Sequence, residues 1–313
     1  MLAGGEPPAN INLWNVSMFS FELLLNAIVI GIFLGGFYAA LSIGLSISFG
    51  LLDIVNIAHP AFIILGAFIC FIFNSHYGLD PILIGIISAP VFFLLGLLIY
   101  RIYYERFEKI GAEPLRGLAF FFGLMFIVEV ILIMSFGVDY QMVHADYIDY
   151  KATFGVIDIP FRMFVPFAIA IVMVIGLQLF SSRTFFGRAM QAVAQDSLAL
   201  RLMGINPVKI KMIAFGLSLA TCSIAGALLV IIMPIEPSVG RLYIGQVFAI
   251  VVLGGLGSQS GTLIAAMLLG LLESLVTTFF GPSWSPAIAF SALILVLAFK
   301  PTGILGRVGD TRG

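Results

Sequence analysis

Charged residues are scarce in this chain. Only 10% of its 313 residues are Asp, Glu, Lys or Arg, and 61% are hydrophobic, whereas soluble domains average roughly 25% charged residues. A protein of this size needs a polar surface to stay dissolved in water. The composition therefore excludes soluble enzymes and soluble binding proteins, and it indicates a surface that faces lipid.

Cysteine and histidine are also rare. Cys70 and Cys222 each lie inside an apolar run, which is typical of buried thiols and not of a disulfide or thiol metal site. The histidines His59, His76 and His144 lie in separate segments without metal-ligand spacing. We therefore expect no integral-membrane enzyme.

Basic residues are absent from the first third of the chain. No Lys or Arg precedes Arg101, so we expect no signal peptide, whose first part is positively charged. Residues 1–22 are expected to form a short lead on the outer side, with Trp14 as an interfacial anchor.

What the chain has in abundance is long apolar runs. A bilayer core needs about 20 apolar residues per helix, and the second, seventh and ninth runs are short. We predict an all-α, polytopic transmembrane bundle of eight or nine segments, with one transmembrane domain over 23–307 and a cytoplasmic tail over 308–313. The runs fall near 24–49, 57–74, 82–104, 116–137, 162–181, 212–233, 243–257, 261–281 and 285–299.

The basic residues are unevenly distributed among the loops. The segments after the third run, after the fifth run and after the ninth run hold 12 of the 15 Lys and Arg residues, which predicts that they lie in the cytoplasm. The acidic loop 138–161 is expected outside. Nine crossings then place four spans on each side of the fifth in opposite orientation, the order expected of an inverted-topology repeat.

The longest basic segment, within 182–211, contains the run GRAMQAVAQDSLALRLMGINPVKIK. Asp196 or Ser197 is expected to cap a short helix, which Gly204 and Pro207 end. Its apolar stripe, made by Leu198, Leu202 and Met203, suits a partner groove. A helix that rests on the lipid surface is the alternative.

A second motif, SFGLLDIVNIAHPAFIILGAF, joins the first two spans and contains Asp53, Asn56 and His59. Asn56 is expected to cap the second helix, with Pro60 in its first turn. A helix start at membrane depth is a natural site for a carboxylate. The alternative is that Asn56 and His59 only satisfy backbone groups.

Two further motifs are rich in glycine. VVLGGLGSQSGTLIAAMLLG, at 251–270, has no Gly-Lys-Ser/Thr and so is not a phosphate-binding loop. Its glycines predict either tight helix crossing or an unwound segment that lines a cavity. KPTGILGR, at 300–307, is a basic exit with turn residues.

Two acidic residues fall inside spans. Glu129 lies in the fourth run and Glu273 in the eighth, and each must face protein or a wet cavity. A protonated carboxyl bonded to a neighbouring helix is one interpretation. The other is a proton-coupled secondary transporter, in which both acids and His59 titrate.

Four motifs follow one another along the chain, at 48–68, 187–211, 251–270 and 300–307. In this order, over about 25–307, they resemble the motifs of the permease subunits of branched-chain amino acid ABC importers, the LivH type. That family has similar GRA…GIN, N-[FLM]-A-H-G, LGG-[IL]-GS-x-x-G and P-x-GI-[LF]-G runs, and an acid at the place of Glu273. Pro60 stands where the family has Gly, and this departure bears on the substrate.

The resemblance implies a non-enzymatic, multi-pass subunit of a bacterial inner membrane. It implies a second, LivM-like permease, two cytoplasmic ATPases that carry ATP and Mg, a periplasmic binding protein, membrane lipid around the bundle, and no cofactor or nucleic acid on this chain. Leu, Ile and Val are the family's substrates, and relatives carry urea, amides or aromatic acids.

The resemblance and the motifs together define two sets of candidate site residues. The substrate pathway set is Asp53, Asn56, His59, Pro60, Gly254, Gly255, Gly257, Ser258 and Glu273. The ATPase-docking set is Arg188, Asp196, Leu198, Arg201, Leu202, Met203, Gly204 and Asn206.

Overall fold

A computed structural model describes residues 21–50, 52, 54–109, 111, 114–155, 157–300 and 302–306. Trp14, Asp53 and the tail predicted at 308–313 lie outside these residues. Eleven α-helices occur in the described part: α1 Phe21–Gly50, α2 His59–Tyr77, α3 Pro81–Tyr103, α4 Pro114–Phe136, α5 Phe161–Arg183, α6 Phe185–Gln195, α7 Ser197–Leu202, α8 Pro207–Ile232, α9 Gly240–Gly254, α10 Gln259–Phe280 and α11 Ser285–Phe299.

Nine helices in the described part are long and apolar enough to cross a membrane, which settles the expected count of eight or nine. They are α1–α5 and α8–α11, with α3 extended by a π-helical turn, Tyr104–Glu108. Short 3₁₀ turns, Pro237–Val239 and Pro282–Trp284, precede α9 and α11. A hairpin not predicted from the sequence, β1 Lys151–Phe154 with β2 Ile157–Pro160, folds within the acidic loop.

The basic segments gather at one end of the bundle, here called the basic end. Lys211 Nζ, at the start of α8, donates to Glu108 Oε1 after α3 at 2.6 Å. Gln259, at the start of α10, donates to Ser181 Oγ near the end of α5 at 2.8 Å. The predicted alternation of helix directions is therefore consistent with these contacts.

The acidic loop lies at the opposite end, here called the acidic end. The amide of Asp158 in β2 donates to Asn26 Oδ1 near the start of α1 at 2.9 Å. The side chain of Asn74, near the end of α2, donates to the carbonyl of His144 at 2.9 Å. Four of the helices thus have their acidic-end termini fixed by the same loop region, since α4 leads into it and α5 leaves it.

The contacts between helices can be compared with those expected from the predicted inverted-topology repeat. If spans one to four correspond to spans six to nine, the packing of α3 along α8 is equivalent to the packing of α10 along α1, and both interfaces are extensive. The α2–α3 and α2–α4 pairs likewise correspond to α9–α10 and α9–α11, which are also in contact. These three pairs of equivalent interfaces are consistent with the predicted inverted repeat.

Both long interfaces depend on glycine. A Cβ on Gly270 of α10 would lie 2.3 Å from the backbone nitrogen of Gly35 in α1, and a Cβ on Gly96 of α3 would lie 2.7 Å from the Cα of Gly216 in α8. Small residues let helix backbones approach this closely, and close approach is the main source of packing energy between apolar helices in lipid. Paired glycines thus set the crossing at each of the two interfaces, and both interfaces join the first half of the chain to the second.

Candidate functional site

Helix α2 begins in the middle of the bundle. The His59 ring at its start contacts the carbonyl of Leu41 at 3.1 Å through Nε2 and the thiol of Cys222 in α8 at 3.3 Å through Nδ1. About 13 Å of α1 remains between Leu41 and its basic-end terminus, Gly50. The chain after α1 therefore turns back into the bundle before α2 starts.

The predicted cap of α2 by Asn56 is wrong. Ala58 occupies the cap position without a side-chain hydrogen bond, and the backbone carbonyl of Asn56, not its side chain, accepts from the His59 amide at 3.3 Å. The Asn56 amide group is fully buried and has no hydrogen-bond partner among the described residues. A buried polar group of this kind usually has a partner, so Asn56 marks a place suited to a polar ligand.

The start of α9 meets the start of α2. A Cβ on Gly240, the first residue of α9, would lie 3.4 Å from the carbonyl oxygen of Pro60. About 25 Å of α2 separates Pro60 from Tyr77 at the acidic end. Two spans of the two halves thus begin beside each other, deep in the bundle.

An ion pair lies next to this junction. Arg241 of α9 donates from Nε and Nη2 to the two carboxylate oxygens of Glu129 in α4, at 2.8 and 2.6 Å. The guanidinium also lies over the Phe126 ring, 5.1 Å from its centroid. The carboxylate side chain is 5% exposed, whereas the Arg241 side chain is 51% exposed. The pair is therefore open on one side.

Sequence reasoning missed Arg241. The apolar run that predicts the seventh span starts at residue 243, which leaves Arg241 outside the span, and the sequence pattern gives Glu129 no partner. A usable signal existed: outside the three basic segments the chain has only Lys151, Arg162 and Arg241, and only the last borders a short span. The interpretation of Glu129 as a protonated, neutral group is inconsistent with this two-point ion pair.

Glu273 forms a separate polar cluster. Its carboxylate accepts a hydrogen bond from Gln246 Nε2 of α9 at 2.8 Å and another from the hydroxyl of Ser285 in α11. The acid is buried. It therefore joins three helices of the second half, and no contact links it to Asn56 or His59.

The glycine-rich motif lies at the basic end, away from the α2 start. Gly254 ends α9, Gly255 and Gly257 have φ of 96° and 76°, and Ser258 caps α10 by accepting from the Gly261 amide at 3.1 Å. A Cβ on Gly254 would lie 2.5 Å from the Gly261 carbonyl carbon. These residues form a close-packed turn.

The C-terminal motif packs on this turn. The amide of Ile304 donates to the Leu253 carbonyl at 2.8 Å, and that of Leu305 donates to the Gly254 carbonyl at 3.1 Å. A Cβ on Gly255 would lie 2.5 Å from the Gly306 nitrogen. The two glycine-rich motifs, which are separate in the sequence, thus pack together as one unit.

The predicted docking segment forms two short helices at the basic end. Asp196 caps α7 by accepting from the amides of Leu198 and Ala199 at 2.8 and 3.0 Å. Gly204, with φ of 79°, ends the turn, and Asn206 caps α8 by accepting from the Val208 amide at 3.0 Å. The predicted short helix and its glycine stop are both present.

The apolar stripe of α7 is open. Leu198, Leu202 and Met203 are 65%, 83% and 76% exposed, whereas Leu200 of the same helix is buried against the bundle. Beside the stripe, a groove of about 310 Å³ runs between α6 and α7. It is lined by Phe185, Arg188, Ala189, Ala192, Gln195, Asp196, Ala199, Leu200, Met203 and Ile205.

The fold and these features define a class: a multi-pass helical membrane permease with equivalent helix interfaces in its two halves and a short, exposed helix pair at one end. The family described as "Branched-chain amino acid transport system / permease component" matches residues 27–298. The chain belongs to this family, so it is a transport subunit and not an enzyme.

Several characterised relatives match nearly the whole chain. It is 29% identical over 297 residues to the high-affinity branched-chain amino acid transport system permease protein BraD of Pseudomonas aeruginosa, covering 90% of this chain and 96% of that protein. It is 26% identical over 295 residues to LivH of Escherichia coli, covering 88% and 94%. LivM of Salmonella typhimurium is 28% identical over 300 residues, covering 86% and 67%. No solved structure matches the chain.

Proposed function

We propose that this chain is the permease subunit of an ATP-binding-cassette importer that moves branched-chain amino acids into the bacterial cytoplasm. The observation that carries the proposal is the α6–α7 pair, which presents an apolar stripe and a groove beyond the bundle. An exposed apolar stripe beside a groove is the kind of surface that binds a partner protein. The ATPase subunits are the partners assigned to this surface.

In this proposal the basic end faces the cytoplasm and the acidic end faces the periplasm of a bacterial inner membrane. The charge distribution supports that orientation. The ATPases, with their ATP and Mg, bind at α6 and α7. A substrate-binding protein docks at the acidic end, and a second permease of the LivM type completes the membrane unit.

The substrate class follows from the similarity to BraD and LivH, which are branched-chain amino acid transport system permease proteins. Within the chain, we assign the pathway to the junction where α2 and α9 begin, with Asn56, His59 and Pro60 beside it. Glu273 and the turn 254–258 act in this proposal by holding α9 and α10 in place. Urea, amides and aromatic acids are the alternative cargoes.

The docking assignment is tested by Leu202→Asp. A charge in the middle of an apolar contact costs far more than one in water, so we expect co-purification of the ATPase subunits and ATP-dependent uptake to fall at least about tenfold. Ser197→Asp is the matched control, because it adds the same charge to exposed α7 at a position where an acid favours the helix.

Undiminished co-purification of the ATPases with the Leu202→Asp variant would show that α7 is not the docking element. Uptake by wild-type protein that persists after ATP depletion while a proton gradient is maintained would favour the secondary transporter instead. The ion pair of Glu129 with Arg241 argues against that alternative, because this carboxylate is already committed to a guanidinium.

A further inference from the structure

The Arg241–Glu129 pair lies at membrane depth. Gly240, next to Arg241, touches Pro60, which lies about 25 Å of helix from the acidic end of α2. Glu129 lies about 10 Å along α4 from Phe136, whose ring packs on that of Phe68 in the middle of α2, 4.9 Å between centroids. Both partners therefore lie within the spans α4 and α9, with Glu129 about 10 Å from the acidic-end terminus of α4.

The exposure of Arg241 is unusual for this depth. A charged side chain that faces lipid near the bilayer centre is costly, and such groups face a bundle interior or a water-filled cavity. The half-exposed guanidinium thus identifies the surface around the start of α9 as one that water or a second protein subunit covers. Arg241 directly follows Gly240, the residue of α9 beside Pro60 at the junction of α2 and α9.

The Arg241 guanidinium has N–H donors that its contact with Glu129 does not use. Arginine carries five N–H donors in a planar fork, and Glu129 receives one bond from Nε and one from Nη2. The Nη1 edge is turned away from Glu129, and the Phe126 ring covers only a face of the plane. A carboxylate matches such an edge with two parallel hydrogen bonds.

We propose that Arg241 binds the α-carboxylate of the amino acid as it crosses the membrane, and that Glu129 positions the guanidinium for this contact. The proposal rests on the proposed function and names the group that recognises the cargo. The amide of Asn56, which is buried and has no hydrogen-bond partner among the described residues, precedes the start of α2 by three residues and is a second polar group near this junction.

The test uses the complete transporter, with the second permease, both ATPases and the binding protein, in proteoliposomes. Radiolabelled leucine uptake by wild-type protein comes first, and its absence would contradict the proposed function alone. The decisive variant is Arg241→Met with Glu129→Gln, which removes both charges together and leaves no buried ion unpaired. We expect it to assemble with its partners and to take up leucine at least about tenfold more slowly, since hydrogen bonds between ions are strong.

A charge-exchanged variant separates recognition from a structural tie. Arg241→Glu with Glu129→Arg keeps an ion pair between α4 and α9 but moves the guanidinium to the buried side. We expect no recovery of uptake. The exposed pair Arg101–Glu105, 3.2 Å apart at the basic end, supplies the control: Arg101→Met with Glu105→Gln should leave uptake within twofold of wild type.

Uptake within twofold of wild type by the neutral double variant would overturn the proposal. Recovery to at least half of wild-type uptake by the exchanged variant would also overturn it, because the pair would then be only structural. Should the exchanged variant fail to assemble, the neutral variant decides the question alone.

Discussion

Replacing Gly270 by Ala should force α1 and α10 apart. The new Cβ would lie 2.3 Å from the Gly35 nitrogen and 2.5 Å from its Cα, and both are backbone atoms that no side-chain rotation moves away. Ordinary contact of such atoms is about 3.5 Å, so the helices must separate by roughly 1 Å. Overpacking of this kind costs about 1–3 kcal/mol.

The matched control is Gly176→Ala on α5, where nothing lies within 4 Å of the added Cβ. Both substitutions gain the same helix propensity, about 0.5–1 kcal/mol, so the difference between the two variants isolates the clash. We expect Gly270→Ala to unfold with a free energy about 1–3 kcal/mol lower than Gly176→Ala, measured by denaturant titration of the purified full-length chain in detergent micelles. Equal stability of the two variants would refute the glycine-dependent crossing.

Three further outcomes are expected. Asp196→Ala should destabilise α7 by about 1 kcal/mol through loss of its cap, seen as faster hydrogen exchange of the amides that follow, and unchanged exchange would contradict this role. Cys70 and Cys222, both buried, should resist maleimide labelling in the folded protein and react after denaturation; rapid labelling of the native chain would show that they are accessible. Gly255→Ala, at φ of 96°, should loosen the packed segment 302–306 and raise its protease sensitivity, whereas unaltered digestion would argue against that packing.

Much of the fold follows from apolar run length and charge placement, because a bilayer permits few alternatives to helices. The short helix α7 was also predictable, since Asp196 and Gly204 are local signals that act through neighbouring backbone atoms. Asn56 shows where such reasoning fails. Asparagine favours cap positions, yet here the backbone of the same residue satisfies the His59 amide, and the side chain is held in the bundle by tertiary packing.

Run length and charge placement can single out Arg241, but they do not predict its contact with Glu129. The two residues come from different halves of the chain, and only the fold brings α4 beside the start of α9. The role of the glycine-rich turn at 254–258 could not be predicted either, for a related reason. Gly255 and Gly306 make a backbone contact across the basic end, and a sequence pattern does not distinguish a glycine that packs from one that lines a cavity.

Helix α8 connects the two places that the proposals single out. It begins at Pro207, shortly after α7 and Gly204, and runs about 39 Å as one uninterrupted helix. Ser218 and Cys222, near its midpoint, touch Gly44 of α1 and His59 of α2. Because only two residues separate Gly204 from Pro207, the first residue of α8, we expect a displacement of α7 to tilt α8 as a rigid unit. A tilt of about 5° over the roughly 20 Å to Cys222 shifts that contact by about 2 Å, enough to break and remake a hydrogen bond.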